Sequence, residues 1–289
     1  MDDLLATHFA HLFIRDPIVI FGEDLKELDL NSADHFENLQ STNWQHIRFK
    51  PPPAGTDMGW RVEFRPMEIQ TTDFENAAFA VFIVLITRAI LSFDLNFYIP
   101  IPKTTQNMET AHARDAVMNE KFYFRKNPFH TRVSPSNSSA SSRTGTPNGN
   151  RQQNGTQQQP LGAVEDEYTL MGIDEIINGQ QSPASGDEEG FPGLIPLVES
   201  YLNSVNVDVE TRCELARYLD LIRKRADGSL WTGARWIRGF VRSHDEYSMD
   251  SAVGQGITFD LCKTVESIAR GVGRGEKRGL GWEMLGGRR

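Results

Sequence analysis

The sequence predicts an α+β protein: a few antiparallel strands on the N-terminal side, followed by mostly helices. Three observations carry this. From Trp60 to Arg65 the side chains alternate strictly, Trp60, Val62 and Phe64 against Arg61, Glu63 and Arg65, the period-two pattern of a strand with one core face and one charged face. The alternation recurs in Trp44–Lys50, with Ile47 and Phe49 opposed to Trp44, His46, Arg48 and Lys50. From Leu194 onward, apolar residues return at helical spacing in segments punctuated by caps and stops. A length of 289 residues suffices for one large domain or two small ones.

Taken in order, Met1 to Ile14 reads as an amphipathic core helix, with Leu4, Leu5, Phe9, Leu12 and Phe13 at helical spacing. Asp2 and Asp3 stand where a signal peptide would carry Lys or Arg, so no targeting segment is expected and the location is cytoplasmic. His8 and His11 have the spacing of a metal pair but no third ligand nearby, so packed or solvent-facing histidines are expected. Arg15-Asp16-Pro17 ends the helix, and residues 23–34 form an acidic, solvated stretch.

Residues 51–58 are dense in turn and breaker residues, so the two alternating segments pair as a hairpin with a long loop. Their polar faces then coincide, and His46, Arg48, Lys50, Arg61 and Arg65 surround a single carboxylate, Glu63. Two readings stand: a surface salt-bridge ladder of little energy, or a site that holds a metal and an anion together. The net charge is -9. Cations gathered on one face of an acidic chain point to a polyanionic small ligand such as a nucleoside triphosphate, with Glu63 holding its Mg²⁺. The same charge argues against nucleic acid as a partner.

Thr72-Asp73-Phe74-Glu75 is a capping box that starts a helix running to Phe93. Its stretch Ala77–Ile86 is apolar all round, which predicts a fully buried core helix. The uninterrupted run of about ten residues is too short for a bilayer of roughly 30 Å, so no membrane is expected. A helix is predicted over Met108–Met118 and a short aromatic core segment over Phe122–Lys126. Residues 128–162 are Ser-, Gln- and Asn-rich and predict a disordered insertion. Tyr168–Asn178 resumes order, Gly179 stops it, and Gln180–Gly190 is a polar loop. Helices follow over Leu194–Val205, over Val209–Arg225, and from a Ser229 cap through Trp236 and Phe240. Arg223-Lys224-Arg225 complements the dipole of the second of these, and the arginines on them read as solvated faces. Cys213 and Cys262 lack metal or disulfide spacing and read as buried small apolar residues in a reducing compartment. The organisation expected is residues 1–127 as a sheet with core helices, 128–162 as the insertion, 163–250 as the helical remainder of that domain, and 251–289 as a weakly ordered tail.

Gly59-Trp60-Arg61-Val62-Glu63-Phe64-Arg65-Pro66-Met67-Glu68-Ile69-Gln70, followed by Thr72-Asp73-Phe74-Glu75-Asn76, resembles the signature of the eukaryotic glutamate-cysteine ligase catalytic subunit family. Ser41-Thr42-Asn43-Trp44-Gln45, Arg48 to Pro53 and His11 to Pro17 are similar to segments upstream of it. Arg114 to Val117, Phe122 to Lys126, Glu167 to Met171, Phe191 to Pro196, Asp208 to Cys213 and Ala234 to Trp236 recur in the family's order. The resemblance runs from Asp2 to about Asp250 and is to the family's C-terminal half. The N-terminal half, which carries most of the family's metal-binding carboxylates, is unmatched, so a truncated chain or a misassigned gene start is expected. The insertion points to a filamentous fungus.

The resemblance implies a glutamine-synthetase-like fold, an antiparallel sheet whose inner face binds ATP and metals. It implies ATP-dependent joining of L-glutamate to L-cysteine as γ-glutamylcysteine, through a γ-glutamyl phosphate, in glutathione biosynthesis. Glu63 matches a ligand of Mg²⁺ or Mn²⁺, Arg65 matches a catalytic arginine at the transferring phosphate and substrate, and Trp44 matches part of the substrate pocket. Lys50 and Arg61 are ATP-binding candidates from the strand face alone. Glutathione as a feedback inhibitor and the enzyme's N-terminal half are the remaining partners. The alternative is a noncatalytic half that binds nucleotide weakly or serves only as an interaction module.

Overall fold

The computed structural model describes residues 3–15, 22, 47–50, 52, 55–129, 164–180 and 190–270. Trp44, His46, the acidic stretch 23–34, nearly all of the 128–162 insertion and the chain beyond 270 lie outside the described residues. The architecture is α+β, as the sequence predicts. Helix α1 spans Asp3–Arg15. Strands β1 (Ile47–Lys50) and β2 (Arg61–Phe64) pair antiparallel, with Arg48 opposite Glu63 and Lys50 opposite Arg61. The expected hairpin, with its charged faces in register, is therefore present.

Helix α2 (Asp73–Phe93) starts at the predicted box: Thr72 Oγ1 accepts from the Glu75 amide at 3.2 Å, and the Glu75 carboxylate accepts from the Thr72 amide at 3.0 Å. It packs against α6 (Leu194–Ser204) and α7 (Val209–Ala226) through Ala78, Phe82, Ile86 and Ala89. Complete burial is not what α2 shows. Val84 and Leu91, on the opposite side, are exposed, because only one side of the helix meets a neighbouring layer. By length and composition alone its 21 residues could cross a membrane, and 22% of the most apolar stretch is buried.

The helix expected over Met108–Met118 is instead two. Helix α3 (Ile101–Ala111) begins after Pro100, and α4 (Ala116–Asn119) follows a break at which Asp115 takes φ 55°. Asp tolerates this left-handed conformation better than most residues. Strands β3 (Lys121–Arg125) and β4 (Tyr168–Gly172) form a second antiparallel pair, closed by Lys126 N–H to Glu167 O at 3.0 Å. Helix α5 (Ile173–Asn178) then leads to Gly179. Gly179 and Gly193, at φ 99° and 94°, bring their backbones so close that a Cβ on either would lie 2.4–2.5 Å from the other segment, which leaves room for glycine only.

Helix α8 (Gly233–Ser243) is capped by Thr232, which accepts from the Arg235 amide at 3.3 Å, and not by Ser229. The expected weakly ordered tail also needs correction. Residues Gln255–Ala269 form helix α9, which packs on α8 through Ile268 against Trp236, with Leu261 and Val265 beside them. Ile257, Leu261, Val265 and Ile268 recur every three to four residues, so the chain has an apolar stripe to bury there. Cys213 and Cys262 are exposed, not buried, since each falls on the outward side of its helix.

Candidate functional site

The β1–β2 hairpin brings together four of the five predicted site residues, Lys50, Arg61, Glu63 and Arg65; the fifth, Trp44, lies outside the described residues. Strand alternation puts Arg61, Glu63 and Arg65 on one side, and the register sets Lys50 across from Arg61. Glu63 is the hub. Lys50 Nζ lies 2.5 Å from its Oε2, while Arg65 Nη2 and Nε lie 2.8 and 2.9 Å from its Oε1. The Lys50 hydrogen bond, reinforced by Arg65, holds the Glu63 carboxyl below the ordinary glutamate range, against a smaller upward push from desolvation. About a third of each of these side chains is open to solvent, so the pairs are weak and exchangeable.

Lys50, Arg61 and Arg65 share this face with Glu63, and Arg48 stands opposite it in the register, a surplus of cations among the described residues that can accept an incoming polyanion. A metal fits less well. Mg²⁺ takes about six oxygen ligands, both Glu63 oxygens already face cations, and no group of three His, Cys, Asp or Glu that could hold a metal occurs among the described residues. Glu63 can be one ligand of such an ion and no more. At the N-terminus, His11 Nε2 is 2.9 Å from Thr105 Oγ1. His8 is held below the usual imidazole value by burial first and His11 second. They pack as ordinary histidines.

The reverse of the hairpin contradicts the expected core face. Trp60, Val62 and Phe64 are 56%, 60% and 43% exposed, because no layer of the described chain covers them. Phe64 and its continuation Pro66–Thr71 instead form one wall of a cavity of about 600 Å³ facing α2, α5, α7 and α8. Below this segment lies a charge pair that reading the sequence does not reveal. Glu75 and Arg225, 1% and 7% exposed, are joined through Arg225 Nη2 and Glu75 Oε1, and Arg225 Nη1 donates to the Trp231 carbonyl. Dipole complementation at the end of α7 is thus the lesser part of what Arg225 does. Its place in the apolar phase of Leu221 and Ile222 is the available signal, as is that of Glu75 in phase with Ala78 and Phe82.

The fold and this face define an α+β protein with a solvent-open strand surface of paired charges. A family model described as glutamate-cysteine ligase matches residues 1–268. The chain is 65% identical over 297 residues to the glutamate-cysteine ligase of Neurospora crassa, covering 99% of this chain and 40% of that protein. It is 48% identical over 269 residues to the human glutamate-cysteine ligase catalytic subunit, covering 93% of this chain and 39% of the human one. For the glutamate-cysteine ligase of Schizosaccharomyces pombe the figures are 46% over 274 residues, with 94% and 36% covered. The chain belongs to the glutamate-cysteine ligase family. It spans about 40% of the length of these relatives. The match reaches residue 268, past Asp250 and into α9, and the Neurospora crassa similarity fits a fungal-type member.

Proposed function

We propose that the chain carries part of a glutamate-cysteine ligase active site, in which Lys50, Arg61 and Arg65 bind the phosphates of ATP. The observation that supports this most is the shared Glu63 carboxylate: Arg65 and Lys50 are already charge-paired on it and aligned on one strand face. An arriving polyphosphate competes for the same cations, and exchange of a carboxylate for a phosphate oxygen preserves their charge-assisted hydrogen bonds.

In the reaction, an oxygen of the glutamate γ-carboxylate attacks the γ-phosphorus and the bond to ADP breaks, giving γ-glutamyl phosphate. The cysteine amine then attacks the acyl carbon, phosphate departs, and the amine loses its proton. Charge neutralisation and positioning dominate phosphoryl transfer, and Arg65 serves both. Mg²⁺ or Mn²⁺, when bound, would neutralise phosphate charge; Glu63 would supply one ligand beside phosphate oxygens and water. The proposed setting is cytoplasmic, in glutathione biosynthesis, with the strand face part of a larger glutamine-synthetase-like sheet.

The test is titration of the chain with ATP and with inorganic tripolyphosphate, followed by Trp fluorescence or calorimetry. Arg65→Lys keeps the charge and loses the planar fork, so affinity should fall about tenfold, and Lys50→Met should also weaken binding. Equal affinity in wild type and both variants would overturn the reading. The second reading, a noncatalytic half, is favoured by the lone carboxylate and the uncovered reverse face. It predicts polyphosphate binding without γ-glutamylcysteine synthesis.

A further inference from the structure

We infer that Glu75 and Asn76 are positioning residues for β2 and the Arg65 that follows it, and that Arg225 anchors them to the helical layer. The inference deepens the proposed reading of the strand face and rests on it for its functional meaning. The hairpin has little beneath it: its reverse face is exposed, and the segment Pro66–Gln70 that leaves it has no regular secondary structure and borders the cavity. The connection before Ile47 lies outside the described residues. The hydrogen bonds at the end of the segment therefore have a large share in setting where Arg65 stands.

Those bonds converge on the first turn of α2. The Gln70 amide donates to Asn76 Oδ1 at 3.0 Å, and Asn76 Nδ2 donates to the carbonyls of Gln70 and Thr72 at 3.3 and 2.8 Å. Oxygen Oε2 of Glu75 accepts from Thr71 Oγ1, Thr72 Oγ1 and the Thr72 amide at 2.6, 2.9 and 3.0 Å. Its other oxygen takes the Arg225 guanidinium, whose second arm reaches the Trp231 carbonyl just before the α8 cap. One carboxylate thus ties the exit of the site strand to the end of α7 and the start of α8.

A capping box alone would need only the Thr72 and Glu75 contacts. The additional bonds from Thr71, Asn76 and Arg225 constrain residues outside the helix. A buried ion pair is also a poor device for stability, since well-packed apolar residues often do as well. Fixing a segment in one direction is a use to which a buried pair is suited.

The experiment is amide hydrogen exchange on the full 289-residue chain, comparing wild type with Asn76→Ala, which leaves the ion pair intact, and Glu75→Gln. Loss of one or two such bonds should speed exchange across residues 61–72 by about tenfold, and in Asn76→Ala, where the ion pair is intact, peptides from α6 and α7 should stay at wild-type rates. Tripolyphosphate affinity should fall in the same variants. Uniform acceleration through α2, α6 and α7 in Asn76→Ala would reduce the residues to a structural role and overturn the inference. So would unchanged exchange at 61–72, or wild-type exchange there already at the unprotected rate. Failure of wild type to bind tripolyphosphate would refute the reading of the strand face, whereas the exchange pattern decides the clamp independently.

Discussion

Glu63 shows how much one residue's environment adds to its identity. Alternation puts its carboxylate beside Arg61 and Arg65 in the sequence, and the cross-strand register brings Lys50 onto it at 2.5 Å. Because the pairing lowers its folded-state pKa, the pairing contributes fully above the ordinary value of 4.5 and is lost as pH falls through the lower folded value. A carbon-detected NMR titration of the Glu63 carboxyl should give a midpoint below 4.5, shifted back up in Lys50→Met; a wild-type midpoint at or above 4.5 would mean the pairs do not persist in solution. The Glu75–Arg225 pair behaves differently because both groups are buried. Arg225→Met alone leaves a buried carboxylate without its counter-charge and should cost about 3–5 kcal/mol, whereas the double change Glu75→Met with Arg225→Met should recover most of that. Urea unfolding of the two variants decides it, and equal losses would show that the charges do not couple.

Among the elements, the β3–β4 pair is held in place by side-chain hydrogen bonds. Arg125, 3% exposed, bonds Glu167 Oε2 at 2.9 Å and the Tyr98 carbonyl at 3.2 Å, while Asn107 bonds both the amide and the carbonyl of Tyr123. The strand ends are therefore fixed whatever connects them. Replacing residues 131–162 with a Gly-Ser linker of about six residues should raise stability by about 1 kcal/mol through loop-closure entropy. A loss of stability in denaturant unfolding would show that the insertion packs on the fold. The Ser-, Gln- and Asn-rich composition of residues 131–162 offers little apolar surface to bury. Helix α2 is less legible: with Ala77–Ile86 apolar at every position, the pattern carries no phase, and only the packing of α6 and α7 picks out the buried side.

The whole molecule has its apolar surface unevenly covered. Trp60, Val62 and Phe64 on the hairpin, Ile69 beyond it and Val84 and Leu91 on α2 are all exposed, and among the described residues β1 and β2 pair only with each other. Open strand edges and apolar patches favour association. The purified chain should self-associate in light scattering and form no γ-glutamylcysteine. Co-expression with the polypeptide matching the rest of the Neurospora crassa relative should reduce the association and restore some synthesis. Monomeric chain with robust synthesis by itself would mean that the site is complete without further strands.

The sequence by itself determined the α+β class, the hairpin with coincident charged faces, the α2 capping box and the gathering of Lys50, Arg61 and Arg65 about Glu63. These are local matters: alternation, caps and turns act over a few residues, and two strands so near each other along the chain have little choice of partner. Tertiary structure alone decided that no described element covers the hairpin's apolar face, that α2 is buried on one side, and that residues 255–269 find a partner in α8. It also decided that Glu75 meets Arg225 across 150 positions of chain. Burial and ion pairing between distant segments depend on which surfaces the fold brings together, and no periodicity within either segment encodes that meeting.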